Sequence, residues 1–351
     1  MNAVDFFCGG GGMTKGLIDA GVNVIFGLDY NPACQATYEH NNHIPYLNQD
    51  ITQVTGAQLQ EEYPVLNDTD NLLFVGCAPC QPFSSQRHSE VEHVAVNLLD
   101  EFGRLVAEVL PAHVLVENVP GIEKRGEAVF TRFLNTLTQH NYAYAYHILN
   151  AKDYGVPQNR KRLILVASRL IQPVFPLPTH GPGLLPYVTV HDAIHAYPHL
   201  ESGQVDEVVP NHRSAALSPL NIQRIEATPH DGGGRNDWPP RLRLACHANG
   251  HTGHTDVYGR MSWNQVSPTL TSKCFSISNG RFGHPEQNRA ISLREAASLQ
   301  SFPDDYVFEG NLQEIGRQIG NAVPVLLAHA IGLTILNSHN EFMANRNNEN
   351  N

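Results

Sequence analysis

The chain has 351 residues, 41% of them hydrophobic and 16% charged, which is enough apolar content for a sizeable core and for more than one domain. It holds no run of about 18–20 uninterrupted apolar residues of the kind that spans a membrane. Its six cysteines are too sparse for a disulfide scaffold of this length. The N-terminal MNAVDFFCGGGG leads straight into a strand and a glycine loop rather than a signal-peptide pattern, so the expectation is a soluble, reduced, cytoplasmic protein. The net charge of −11 is unevenly spread: residues 1–150 carry 6 Lys/Arg against 17 Asp/Glu, residues 151–300 carry 15 against 11, and residues 301–351 carry 2 against 6. An acidic body with a basic middle that also holds 10 of the 19 histidines is compatible with a polyanion bound over one face.

In chain order, β-branched runs predict strands at 3–7, 22–28, 72–75, 113–116, 142–149 and 163–167, with a short strand region at 46–51. Helical patterns fall between them near 13–20, 32–41, 56–62, 97–110 and 126–140. Strands alternating with helices imply an α/β fold with a mostly parallel, doubly wound sheet. After Ser168 the periodicity fades into segments such as PTHGPGLLPY, TPHDGGGRNDWPP and HANGHTGHTD, the mark of a loop-rich second domain. Regular structure is expected again at 292–301 and 323–337, before a polar, frayed tail at 338–351.

The stretch from Asp5 through Gly12 ends a strand and opens a helix. Glycines there let the backbone turn tightly and bring a ligand close to the helix N-terminus. Asp29 closes the second strand 17 residues after Gly12, where an acid commonly holds a ribose diol. Asp50, after the short third strand, is suited to accept from an adenine amino group. No Lys-Ser/Thr follows the glycines, so a P-loop is excluded.

Cys77 and Cys80 have C-x-x-C spacing in GCAPCQPFSS, open to three readings: a redox pair, half a zinc site, or one nucleophile with an idle neighbour. A zinc site needs about four ligands, and no second C-x-x-C or C-x-x-H exists; no metal is expected. Pro82 after Cys80 implies a loop rather than the helix that follows thioredoxin-like motifs. A cysteine beyond a parallel strand lies where open α/β sheets place their ligands. Glu117 follows another strand at the same edge, and Gln158, Arg160 and Arg162 precede a third. A thiol, an acid and two cations suit a polarised ring: a nucleophile for carbon, an acid for a ring nitrogen and a cation for an exocyclic oxygen.

Taken together, the chain resembles the DNA (cytosine-5) methyltransferase family along most of its length. DFFCGGGGMTKG is similar to that family's S-adenosylmethionine loop, GLDYNP to its ribose-binding segment and QDI to its adenine-contacting segment. GCAPCQPFS resembles the Pro-Cys nucleophile motif, ENV the glutamate motif and QNRKR the Q-x-R-x-R motif. RAISLREAASLQSFPDDY and GNAVP resemble the two C-terminal motifs.

The resemblance implies that Cys80 attacks C6 of a flipped-out cytosine, that Glu117 holds N3 and the 4-amino group, and that Arg162 binds O2. Arg160 would lend charge near the thiol. It implies a Rossmann-like methyltransferase fold and S-adenosylmethionine as cofactor, with S-adenosylhomocysteine as product. The cofactor residues would be Phe7, Gly9, Gly11, Gly12, Asp29, Tyr30, Asp50, Ile51, Pro79, Leu98 and Asn321. Residues 1–174 and 286–337 would form a discontinuous catalytic domain, and 175–285 the target-recognition domain.

Duplex DNA is the implied substrate, contacted by Gln81, Ser84, Gln158, Arg235, Arg241, Arg243, Arg260, Lys273 and Arg281, with His251 and His254 as further candidates. Also implied are action as a monomer at the nucleoid, no membrane association, and a cognate restriction endonuclease as candidate partner. Two departures stand out: Ala78 precedes Pro79 where the family has a second proline, and no Asp-Arg precedes Leu98. A tRNA cytosine-5 methyltransferase on the same scaffold, a silent nucleic-acid-binding module and a disulfide oxidoreductase are the competing readings.

Overall fold

The computed structural model describes residues 1–79, 98–244 and 255–349. The chain divides into two compact units: Met1–Asn150, Lys161–Pro178 and Val325–Asn351 form the first, and Ala151–Arg160 with Thr179–Pro324 the second. The first unit is built on a sheet of seven described strands: β1 Asn2–Phe6, β2 Asn23–Asp29, β3 Tyr46–Asn48, β4 Leu72–Gly76, β5 His113–Asn118, β6 Ala143–Asn150 and β7 Lys161–Ser168. Their order is β3-β2-β1-β4-β5-β7-β6. The first five are mutually parallel, while β7 runs antiparallel to both β5 and β6. β4 and β5 are buried along their whole length, as their apolar runs require of strands covered on both faces.

The helices over this sheet are α1 Gly12–Asp19, α2 Gln35–Asn42, α3 Gly56–Glu62, α4 Leu98–Val109, α5 Ile122–Arg125 and α6 Glu127–Gln139. α4 buries Leu99, Phe102, Gly103, Leu105, Val106 and Val109, the i, i+3, i+4, i+7 stripe of an amphipathic helix. Its Phe102 lies so close to β4 that a Cβ on Gly76 would come within 2.7 Å of the ring, which is why the strand leading to the C-x-x-C stretch ends in glycine. The chain finishes with the helix Val325–Glu349, packed on α1 at a crossing so tight that a Cβ at Gly16 would meet Ala328 Cβ at 2.5 Å. The helical stretch Leu312–Asn348 contains an 18-residue window of mean hydropathy 1.8, of which 56% is buried within the protein, as in a core helix. His113 on β5 and His339 on this last helix meet ring to ring, Nε2 to Nδ1 at 3.0 Å, and burial pushes the His113 imidazole down to about 3.

Two expectations about the domains are revised. Residues 151–160 and 286–324, expected with the catalytic part, group with the second unit, and the segment expected to fray from 338 onward is helical through Glu349. Among its described residues the second unit has only short helices and isolated bridges, the helices including Val190–Ile194, Pro219–Glu226, Leu293–Leu299 and Leu312–Asn321. One of its apolar clusters gathers Ile225, Trp238, Leu242, Tyr258, Ile277 and Ala290. Loops without ladders leave carbonyls to satisfy, and buried arginines satisfy them. Arg260 donates to the carbonyls of Ile225, Thr228, His284 and Gln287, and Arg294 donates to those of Asp304 and Tyr306.

Candidate active site

Three backbone reversals shape the loop between β1 and α1: Phe7, Gly9 and Gly11 have φ of 61°, 51° and 85°. The value at Phe7 is unusual for an aromatic residue and marks a turn held by its surroundings. Phe7 N–H donates to Leu28 O at 2.7 Å, and Gly9 N–H donates to Asp29 Oδ2 at 3.0 Å. The other Asp29 oxygen accepts from Asn31 N–H at 3.0 Å, so this carboxylate ties the glycine loop to the end of β2. Burial raises the Asp29 pKa against the lowering effect of these amides. Among the described residues a Cβ at Gly9 would meet nothing within 4 Å, so the loop presents open space to them on that side.

The motifs in the sequence assign Asp5 no role, although a charged residue inside a buried strand is a visible signal. Its carboxyl is fully buried, with Oδ2 accepting from the Thr14 hydroxyl at 2.7 Å and Oδ1 unpartnered. The Thr14 hydroxyl also meets Tyr38 Oη at 3.0 Å. Burial, with the charge of Asp29 adding to it, pushes Asp5 up to about 7. An orphaned buried carboxyl oxygen beside an open glycine turn fits a polar, positively charged ligand in the loop.

Asp50 caps a 3-10 turn at Ile51–Gln53 through Thr52 N–H at 2.9 Å, with Ile51 buried beneath it. It lines a cavity of about 550 Å³ with Gln49, Gln53, Val54, Gln58 and Leu59. Arg104 of α4, which no sequence motif marks, donates to Ile51 O at 3.0 Å and Val54 O at 2.9 Å and so braces that turn. Tyr30 is 67% exposed, and Leu98 opens α4 partly buried against the core.

Glu117 and Arg162 meet. β5 and β7 pair antiparallel with Glu117 opposite Ile164, which brings Arg162 back along the sheet to place Nε 2.8 Å from Glu117 Oε1. Both side chains are mostly shielded, Arg162 at 13% and Glu117 at 11% exposure, so this pair is screened less than a surface salt bridge. β4 lies parallel beside β5 with Gly76 opposite Val116, so Cys77, Ala78 and Pro79 leave the sheet next to Glu117. Asn118 Nδ2 donates to Ala78 O at 3.4 Å across that gap. Cys80, Gln81 and Ser84 lie outside the described residues, as do His251 and His254.

Several expected contacts have other work. Arg160 is 1% exposed and donates to the carbonyls of Leu270, Gly320 and Ala322, an internal clamp of the second unit. Gln158 is fully buried, bonded to Leu299 O, Gln300 and Leu270 N–H, and so does not face a nucleic acid. Arg260 is likewise fully buried among loop carbonyls, and Arg281 donates to those of Gly232, Gly233 and Arg260. Arg241, Arg243 and Lys273 are exposed, and Arg235 is half-buried. Asn321 ends the helix Leu312–Asn321 with its side chain exposed. Among the described residues no group of three or more His, Cys, Asp or Glu could hold a metal ion.

Known proteins share this chain's sequence and fold. The Type II methylase M.HgiDII of Herpetosiphon aurantiacus is 42% identical over 340 residues, covering 95% of this chain and 94% of that protein. The Type II methyltransferase M1.HphI of Haemophilus parahaemolyticus is 32% identical over 343 residues, covering 95% and 86%. Among solved structures, a DNA modification methyltransferase encoded within an E. coli prophage superposes with a TM-score of 0.74 at 21% identity, covering 96% of this chain and 99% of that one, a likeness of fold. The family described as C-5 cytosine-specific DNA methylase matches residues 1–337, and the chain belongs to that family.

Proposed function

We propose that the enzyme transfers a methyl group from S-adenosylmethionine to C5 of cytosine within a specific duplex DNA sequence, with Cys80 as nucleophile and Glu117 and Arg162 as the groups that hold the base. Methyl transfer to cytosine C5 in DNA is the family's reaction; the residue roles are the proposal. The observation that carries it is the shielded Glu117–Arg162 pair, 2.8 Å apart, beside the strand end that leads to Cys80.

Cytosine C5 is too weak a nucleophile to take a methyl group unaided. Attack of the Cys80 thiolate on C6 places electron density on C5. Glu117 bonds N3 and the 4-amino group, which favours that attack, and Arg162 stabilises the charge reaching O2. After transfer the C5 proton is lost and Cys80 leaves C6, restoring the double bond. The cofactor supplies a methyl group on a sulfonium leaving group. Asp29, Asp50, Phe7 and the backbone from Gly9 to Gly12 would hold it, supported by the open face at Gly9. The target carbon is inaccessible inside a duplex, so the base must be flipped out. The first unit supplies this chemistry, and the second unit, with exposed Arg241, Arg243 and Lys273, supplies the recognition surface. The enzyme would work as a monomer in the cytoplasm, on the nucleoid, opposite a restriction endonuclease of the same site.

The test is labelled methyl transfer to duplex DNA and, in parallel, to tRNA. Wild type labels DNA, Cys80→Ser labels nothing, and Glu117→Gln loses about 10²–10⁴-fold. Methyl transfer surviving Cys80→Ser, or label in tRNA alone, overturns the reading. Bisulfite sequencing of DNA from expressing cells then gives the site.

A further inference from the structure

We propose that Asp5 is the buried counter-ion that makes the glycine loop prefer a cationic cofactor to its product, which carries one positive charge fewer. The inference rests on the reading of that loop as the S-adenosylmethionine site.

Two buried carboxyls lie on the strands next to the loop, and Asp29 bonds it directly. Asp5 lies on β1, fully buried and in register with Gly27; Asp29 lies two residues further along β2 and is 9% exposed. Among the described residues neither forms an ion pair. The titratable groups around Asp5 are Asp29 from β2, Cys8 from the loop and, through Thr14, Tyr38 from α2; on its other side β4 presents Val75. Lys15, the nearest lysine in sequence, is paired with Asp19 on α1. Like charges buried together without a cation oppose each other's ionisation.

With the loop empty of charge, the conflict is relieved by a proton on Asp5, consistent with its titration near 7. Its unpartnered Oδ1 then has no bond to lose. A sulfonium beside Gly9–Gly12 reverses the balance: Asp5 ionises and its proton passes to the buffer. When the methyl group has gone, the positive charge has gone with it, and Asp5 takes a proton back from solvent. Affinity for S-adenosylmethionine therefore rises with pH through about 7, while affinity for S-adenosylhomocysteine stays nearly level.

Calorimetric titration of the full chain with each cofactor, in two buffers of different ionisation enthalpy, reads the proton directly. At pH 7 wild type should release about half a proton on binding S-adenosylmethionine and almost none on binding S-adenosylhomocysteine. The affinity ratio of the two should climb about tenfold between pH 6 and pH 8. Asp5→Asn keeps the Thr14 bond and removes the charge, so proton release should vanish and the ratio should become flat. Equal proton release with both cofactors in wild type, or release that persists in Asp5→Asn, overturns the inference alone. Cofactor binding left unchanged by Gly9→Val overturns the loop reading and the inference with it.

Discussion

Two buried carboxyls, one in each unit, show what burial of an acid means in this protein. Glu295 in the second unit sits 2.8 Å and 2.7 Å from the two terminal nitrogens of Arg289 and accepts from Ser292 N–H in a capping box. Burial alone would raise its pKa, but Arg289, His284 and that amide more than reverse this and hold it near 2. Asp5 in the first unit is as deeply buried and has only Thr14 as a donor, and it titrates near 7. The paired acid is architecture: it staples a loop-rich region of the second unit. The unpaired acid lies on the strand that leads into the glycine loop, and its stability cost is tolerable if a ligand relieves it.

The comparison can be broken most sharply at Glu295. Glu295→Gln leaves the Arg289 guanidinium buried without its counter-charge and should cost about 3–5 kcal/mol, read as a lowered urea midpoint. Replacing both partners with apolar residues should cost far less.

Asp5→Asn should move the other way. The folded Asp5 pKa lies above its unfolded value, so the folded state binds the extra proton and wild-type stability falls as pH rises from about 4 to about 7. The gain from Asp5→Asn should thus grow by about 2–3 kcal/mol between pH 5 and pH 8 in unfolding titrations.

His113 gives the opposite slope, because its folded pKa is about 3 against 6.5 when unfolded. Its contribution is intact above pH 6.5 and should be lost on acidification at up to about 1.4 kcal/mol per pH unit, a slope that His113→Gln removes.

The smallest stability effects should come from the exposed cations. Arg241→Gln or Lys273→Gln should change stability by less than about 0.5 kcal/mol. If the side chain neutralises a DNA phosphate, its removal should lower the salt slope of DNA binding by about 1. Arg260→Met should do the reverse, destabilising the second unit because at least four loop carbonyls lose their donor.

Much of the first unit is legible in the amino-acid sequence because its signals are local. Buried parallel strands read as apolar runs, the glycine loop reads as a strand-to-helix turn, and Asp29 falls at a strand end by simple spacing. Family motifs mark Glu117 and Arg162, and the antiparallel return of β7 brings them together. The basic middle of the chain is the least legible part. Its arginines suggest a surface for a polyanion, yet Arg160, Arg260, Arg289 and Arg294 are among the most deeply buried side chains in the protein. Composition reports how many guanidinium groups a segment has but not whether they face solvent or the carbonyls of its own loops. Asp5 shows as a charge within a strand, but the letter does not show that among the described residues a single threonine is its donor. The sequence by itself determined the alternation of elements, the order of the motifs and the chemistry they can perform. The tertiary structure decided which charges are paired, because pairing depends on distances between residues as far apart in the chain as Glu117 and Arg162, which only packing sets.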